Sequence, residues 1–216
     1  MEAFALDTTE QYLLAATGIL FIVQALYYLA LYNRIHLRSR KAGRDELHFT
    51  QELPPLSVIL CAHDEVENLR RNLPAIFEQD YPQFEVIVIN DGEKGESEEY
   101  LTQLEEQYSN LYHSFVPDSS RYISRKKLAV TLGIRAARYD WLVLTEANCR
   151  PQSNQWLRLM ARNFTSRTEV VLGYSGYERG HNWLDRRAAF DSLFTAMRYL
   201  GFALAGNPYM GIGRNL

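Results

Sequence analysis

The chain has 216 residues, 47% hydrophobic and 23% charged, which suits an α/β domain with an appendage and excludes a disordered or collagen-like protein. Its formal net charge of −3 provides no general basic field, so no nucleic-acid partner is expected. The two cysteines, Cys61 and Cys149, are too few for a zinc cluster and do not suggest a secreted disulfide framework.

The mean hydropathy of −0.28 averages a very apolar N-terminus with a polar remainder. Tyr12–Tyr32 reads YLLAATGILFIVQALYYLALY, 21 residues without a charge, long enough to cross a hydrocarbon core of about 30 Å as a helix. Glu2, Asp7 and Glu10 precede it; Arg34, Arg38, Arg40, Lys41 and Arg44 follow it. The positive-inside bias then puts residues 1–11 outside, a transmembrane helix at 12–32, and the rest at the cytoplasmic face of the inner membrane, against membrane lipid. A buried core helix and a cleaved signal peptide are the competing readings. The first would show a polar stripe, and the second a basic front and a small-residue cleavage site.

Residues 33–54 are basic and polar and read as a juxtamembrane linker ending at Pro54-Pro55. LSVILCA (Leu56–Ala62) then has the β-branched apolar run of a strand buried on both faces. A helical pattern through Leu69, Leu73, Ile76 and Phe77 follows, with a start or kink at Pro74. The further expected elements are a strand at Phe84–Asn90, a Glu-rich helix at 96–107 and a helix near 126–137. Beyond them come a strand at Trp141–Ala147, a helix at 154–163 and a strand at 169–174. Strands alternating with helices predict an α/β fold with a parallel sheet covered on both faces. Trp183–Leu204 carries Phe190, Leu193, Phe194, Met197, Leu200 and Leu204 at helical spacing. Core packing is the default for that stripe, and a membrane-surface helix is the alternative.

Ligands of such sheets bind at the carboxyl ends of the strands. The polar residues there are His63, Asp64 and Glu65, then Asn90 and Asp91, then Glu146 and Asn148. No G-x-G-x-x-G follows the first strand and no G-x-x-x-x-G-K-[ST] occurs, which argues against a dinucleotide dehydrogenase or a P-loop NTPase.

Four blocks in order carry a resemblance: SVILCAHDEVENL, QDYPQFEVIVINDG, RKKLAVTLGIRAARYDWLVLTEANCRP and GNPYMGIGRNL. They resemble family 2 glycosyltransferases of the GT-A fold, whose Rossmann-like sheet binds a nucleotide sugar, over residues 55–216. The resemblance implies donor-nucleotide roles for six residues. Cys61 and His63 line the base pocket. Asp91 accepts a hydrogen bond from the nucleobase. Lys127, with Lys126, approaches the diphosphate. Glu146-Ala147-Asn148 stands at the family's Asp-x-Asp motif, where carboxylates touch the ribose and hold Mg²⁺ or Mn²⁺. With Glu-x-Asn, Glu146 and Asn148 form a weakened metal site, because a neutral amide replaces a charge. On their own, Asp91 also reads as a cap, Lys126 and Lys127 as a solvated helix start, and the cysteines as packing residues.

The family's general base, an Asp in a later acidic motif, is expected beyond Leu216, so no catalytic residue is assigned within the chain, which reads as the donor-binding half of a longer enzyme. The expected activity is inverting transfer from a nucleotide-diphosphate sugar to a glycan or lipid-linked acceptor. The alternative is a non-catalytic membrane-anchored protein that binds a nucleotide or serves in assembly.

Overall fold

The computed structural model describes residues 7–63, 65–92, 95–117, 124–178, 180 and 182–216; Asp64 and the first six residues lie outside the described residues. In chain order the elements are α1 (Thr8–Gly43), β1 (Leu56–Ala62), α2 (Val66–Asn72), α3 (Pro74–Phe77), β2 (Phe84–Asn90), α4 (Glu96–Gln107), β3 (Leu111–Phe115), α5 (Arg125–Ala136), β4 (Trp141–Glu146), α6 (Trp156–Ala161) and α7 (Trp183–Leu204). They form two compact units: residues up to His48 with Gly176–Met210, and Phe49–Ser175 with Gly211–Leu216.

In the first unit α1 runs for 36 residues, about 54 Å at the α-helical rise. It is long and apolar enough to cross a membrane. It also continues through Gly43, so the first half of the basic segment is helical rather than a linker. Glu10 closes its start by accepting from the Asp7 backbone N–H at 3.0 Å, and Arg40 and Lys41 favour its C-terminal dipole. At the head of α7, Asn182 accepts from the Asp185 N–H at 2.7 Å. The α7 stripe divides. Phe194 packs edge-on against Tyr28 and Tyr32, whereas Phe190 and Leu193 are exposed. Gly201 permits the close approach, since a Cβ there would lie 2.7 Å from Leu31 Cγ.

The second unit is a four-stranded parallel sheet in the order β3-β2-β1-β4. Period-2 alternation sends Leu56, Val58 and Leu60 of β1 to one face, against Leu69, Leu73, Ile76 and Leu101. Ile87 and Ile89 of β2 meet Ala129 on α5 across the other face. Gly133 lets α5 lie flat there, because a Cβ would come within 2.4 Å of Ile59 Cγ2. Pro74 starts α3, where its missing N–H costs no helical bond.

Two expectations are corrected. Residues 169–174 form no strand: the sheet ends at β4, and the Gly173 N–H donates instead to the Asn215 carbonyl at 2.8 Å. The sheet instead gains β3, whose LYHSF sequence interrupts the apolar pattern with His113 and Ser114 because it lies at an edge.

Candidate functional site

The carboxyl ends of β1, β2 and β4 finish level with one another. Cys61 is in register with both Ile89 and Glu146, and Ala62 with Asn90. The ladders extend slightly past the strands: the Asp91 N–H donates to the Ala62 carbonyl at 2.7 Å, and the Ala147 N–H to the Cys61 carbonyl at 3.2 Å. This register brings Cys61, Asp91 and Glu146 to one edge, where parallel sheets bind ligands.

Helix α5 brings cations to that edge. Its first turn holds Arg125, Lys126 and Lys127, although positive charge opposes the helix dipole at an N-terminus. Two of the three are matched by acids. The Arg125 Nε donates to Asp91 Oδ1, and the Lys126 Nζ to Glu146 Oε1. Successive helical side chains diverge by about 100°, so these neighbours reach different strand ends. Lys127 is exposed, and among the described residues no ion pair joins its side chain to this edge. Of the two lysines expected near the diphosphate, the structure brings Lys126 to Glu146.

The second cation on Glu146 comes from the C-terminal block. Arg214 donates through Nε to Glu146 Oε2 at 2.9 Å. Its position is fixed by the two residues that follow it. The Leu144 N–H donates to the Leu216 carbonyl at 2.7 Å, and the Leu216 N–H returns to the Leu144 carbonyl at 3.4 Å. Asn215 accepts from Trp156 Nε1 at 3.0 Å and donates to the Tyr174 carbonyl at 3.2 Å.

The acids and the thiol respond to these surroundings. Burial raises the Glu146 carboxyl, but the hydrogen bonds and charges of Lys126 and Arg214 outweigh it and hold the group below the usual carboxylate range. Burial pushes the Cys61 thiol up to about 11 against the opposing charge of Lys126, so it is neutral at physiological pH. His63 Nδ1 donates to the Asp91 main-chain carbonyl at 2.5 Å and stands 4.0 Å from its carboxylate. Asn90, fully buried one residue before Asp91, has no hydrogen-bond partner for either amide atom among the described residues.

A divalent cation fits this donor set poorly. Both oxygens of Glu146 carry protein cations. Asn148 is neutral and exposed, and its Oδ1 accepts from Cys149 Sγ at 3.3 Å. Among the described residues, no group of three metal-ligating side chains comes together.

Arg125 and Arg214 were not among the residues singled out from the sequence. A signal for Arg125 exists in the run of three cations at a helix start, which is unfavourable unless acids face it. Arg214 stands in the last of the four blocks, but only the pairing of Leu216 with β4 reveals what it reaches.

The Glycosyl transferase family 2 model matches residues 57–213. The chain belongs to that family. Among curated relatives, glycosyltransferase AglE of Haloferax volcanii is 30% identical over 112 residues, covering 50% of this chain and 34% of that protein. The poly-β-1,6-N-acetyl-D-glucosamine synthase of Staphylococcus epidermidis is 24% identical over 131 residues, covering 61% of this chain and 30% of that protein. The chain thus spans about a third of the length of these relatives. Among solved structures, the mannosyltransferase PcManGT from Pyrobaculum calidifontis, in complex with GDP-Man and Mn²⁺, superposes with a TM-score of 0.56 at 20% identity, covering 83% of this chain and 48% of that one. The likeness supports the GT-A fold.

Proposed function

We propose that this family 2 chain binds a nucleotide-diphosphate sugar at the carboxyl edge of β1, β2 and β4, and serves inverting sugar transfer to a glycan or lipid-linked acceptor. The observation that carries this reading is the convergence of Asp91 and Glu146 with Arg125, Lys126 and Arg214 on one strand edge. Acids there suit a nucleobase N–H and ribose hydroxyls, and cations suit a diphosphate. Cys61 and His63 flank Asp91 and line the base side. Family membership supports the reaction class, and the complex of PcManGT with GDP-Man and Mn²⁺ supports a nucleotide-sugar donor. The Mg²⁺ or Mn²⁺ that the family resemblance implies at Glu146 and Asn148 does not fit there, because both Glu146 oxygens carry protein cations and Asn148 is neutral.

The α1 segment 12–32 is the membrane span in this reading, with 33–54 beside the bilayer and residues 55–216 as the transferase domain at the cytoplasmic face. The basic residues after Tyr32 support that orientation.

Calorimetry of the full chain in detergent with UDP and GDP tests the donor site. At least one nucleotide should bind, and Asp91→Ala should weaken it about tenfold or more. Equal affinity in parent and variant would overturn the base-pocket assignment. A second reading, nucleotide binding without transfer, draws on the Glu-x-Asn sequence and the cation-saturated Glu146. Release of sugar from a bound donor in the presence of membranes would exclude it.

A further inference from the structure

We infer that Lys126 and Arg214 stand in for a divalent cation at the donor diphosphate, so that this chain binds a nucleoside diphosphate without metal. The inference rests on the donor-site reading above and specifies how that site meets the phosphates.

Two carboxylates facing a diphosphate repel it, and a divalent ion between them removes the repulsion. Here one of the two positions is the neutral Asn148, and the remaining carboxylate, Glu146, has a protein cation on each oxygen. The trio of Glu146, Lys126 and Arg214 is net positive, so it attracts a diphosphate and repels a metal ion.

The two cations differ in a useful way. Arg214 is held in place, because Leu216 pairs with Leu144 on β4 and Asn215 bonds to Trp156 and to the Tyr174 carbonyl. A guanidinium so placed is a preorganised partner for phosphate oxygens. Lys126 has a side chain 66% exposed, which leaves its ammonium accessible to an arriving phosphate while one donor stays on Glu146. Glu146 therefore acts as the anchor that orients both cations.

The test is calorimetry on the full chain in detergent, with UDP, GDP and the corresponding monophosphates, in EDTA and in Mn²⁺. The expected result is diphosphate binding of equal strength in EDTA and Mn²⁺. Arg214→Gln should weaken diphosphate binding about tenfold or more while changing monophosphate binding much less, and Arg214→Lys should recover part of the loss. Lys126→Gln, on an exposed helix position, supplies a second variant whose folding is not in question, and it should show the same preference for the diphosphate. Binding that appears only with Mn²⁺ would overturn this inference and leave the donor site standing. Equal losses for mono- and diphosphate in both variants would overturn it as well. Absence of binding by either nucleotide under both conditions would overturn the donor site and this inference together.

Discussion

Arg214 and Glu146 stand 68 residues apart in the chain and meet at 2.9 Å, Nε donating to Oε2. The contact ties the last block of the sequence to the end of β4. It also leaves Glu146 with no oxygen free of a cation, since Lys126 holds the other. One side chain thus links α5, β4 and the 211–216 segment.

That linkage gives an acid-stability prediction. The folded-state pKa of Glu146 lies below its ordinary 4.5. Its contribution is therefore complete above that value and is lost as pH falls through the folded pKa. Glu146→Gln leaves Lys126 and Arg214 facing each other without a carboxylate, so the variant should unfold at a lower temperature at pH 7. The gap between variant and parent should close below pH 4.5. Thermal unfolding followed by circular dichroism measures both; curves that stay parallel throughout would contradict the assignment.

Gly133→Ala should destabilise the sheet unit by about 1–3 kcal/mol. Alanine normally improves a helix interior by up to about 1 kcal/mol, but here its Cβ would sit 2.4 Å from Ile59 Cγ2. Ile59 is fully buried, and the atom met is a methyl on its branched β-carbon rather than the far end of a flexible side chain. Adding Ile59→Ala should cost less in the Gly133→Ala background than alone, which chemical denaturation of all three variants can determine.

The β1, β2 and β4 strands were legible in the sequence because each contains a short apolar run, VIL in LSVILCA, VIVI in FEVIVIN and WLVL in WLVLTE. β3 left no such run: at an edge, His113 and Ser114 are tolerated, and the pairing partner in β2 supplies the order. Residues 169–174 had strand composition but add no strand to the sheet, and Gly173 bonds to Asn215 rather than to a strand. Asp91 and Glu146 were legible as acids at strand ends. Lys126 was also named, but two further cation partners were not, because Arg125–Asp91 and Arg214–Glu146 are tertiary contacts that depend on the start of α5 and on the pairing of Leu216 with Leu144.

Membrane orientation can be read by cysteine labelling of intact cells, in a background with Cys61→Ala and Cys149→Ser. A cysteine at Thr9 should react with an impermeant maleimide from outside, and one at the exposed Gln103 should react only after permeabilisation. Labelling of the Gln103 position alone in intact cells would reverse the orientation.

With protein cations in the metal's place, as proposed, Asn148→Asp should introduce a metal dependence. The added carboxylate gives a hard divalent cation an anionic oxygen two residues from Glu146. Without metal the same charge repels the diphosphate. Mn²⁺ titrations should therefore tighten UDP or GDP binding in the variant only, and EDTA should weaken the variant relative to the parent. Equal Mn²⁺ enhancement in both proteins would mean that other residues hold the ion.

The proposed nucleotide-sugar donor occupies the carboxyl edge of β1, β2 and β4. Hydrogen–deuterium exchange of the full chain in detergent, with and without saturating UDP or GDP, addresses it most directly. Ligand should slow exchange in peptides covering 57–63, 86–92, 124–130, 141–149 and 211–216, and leave α1, α4 and α7 unchanged. Protection elsewhere in the chain, with these five segments unaffected by a nucleotide that demonstrably binds, would contradict the account.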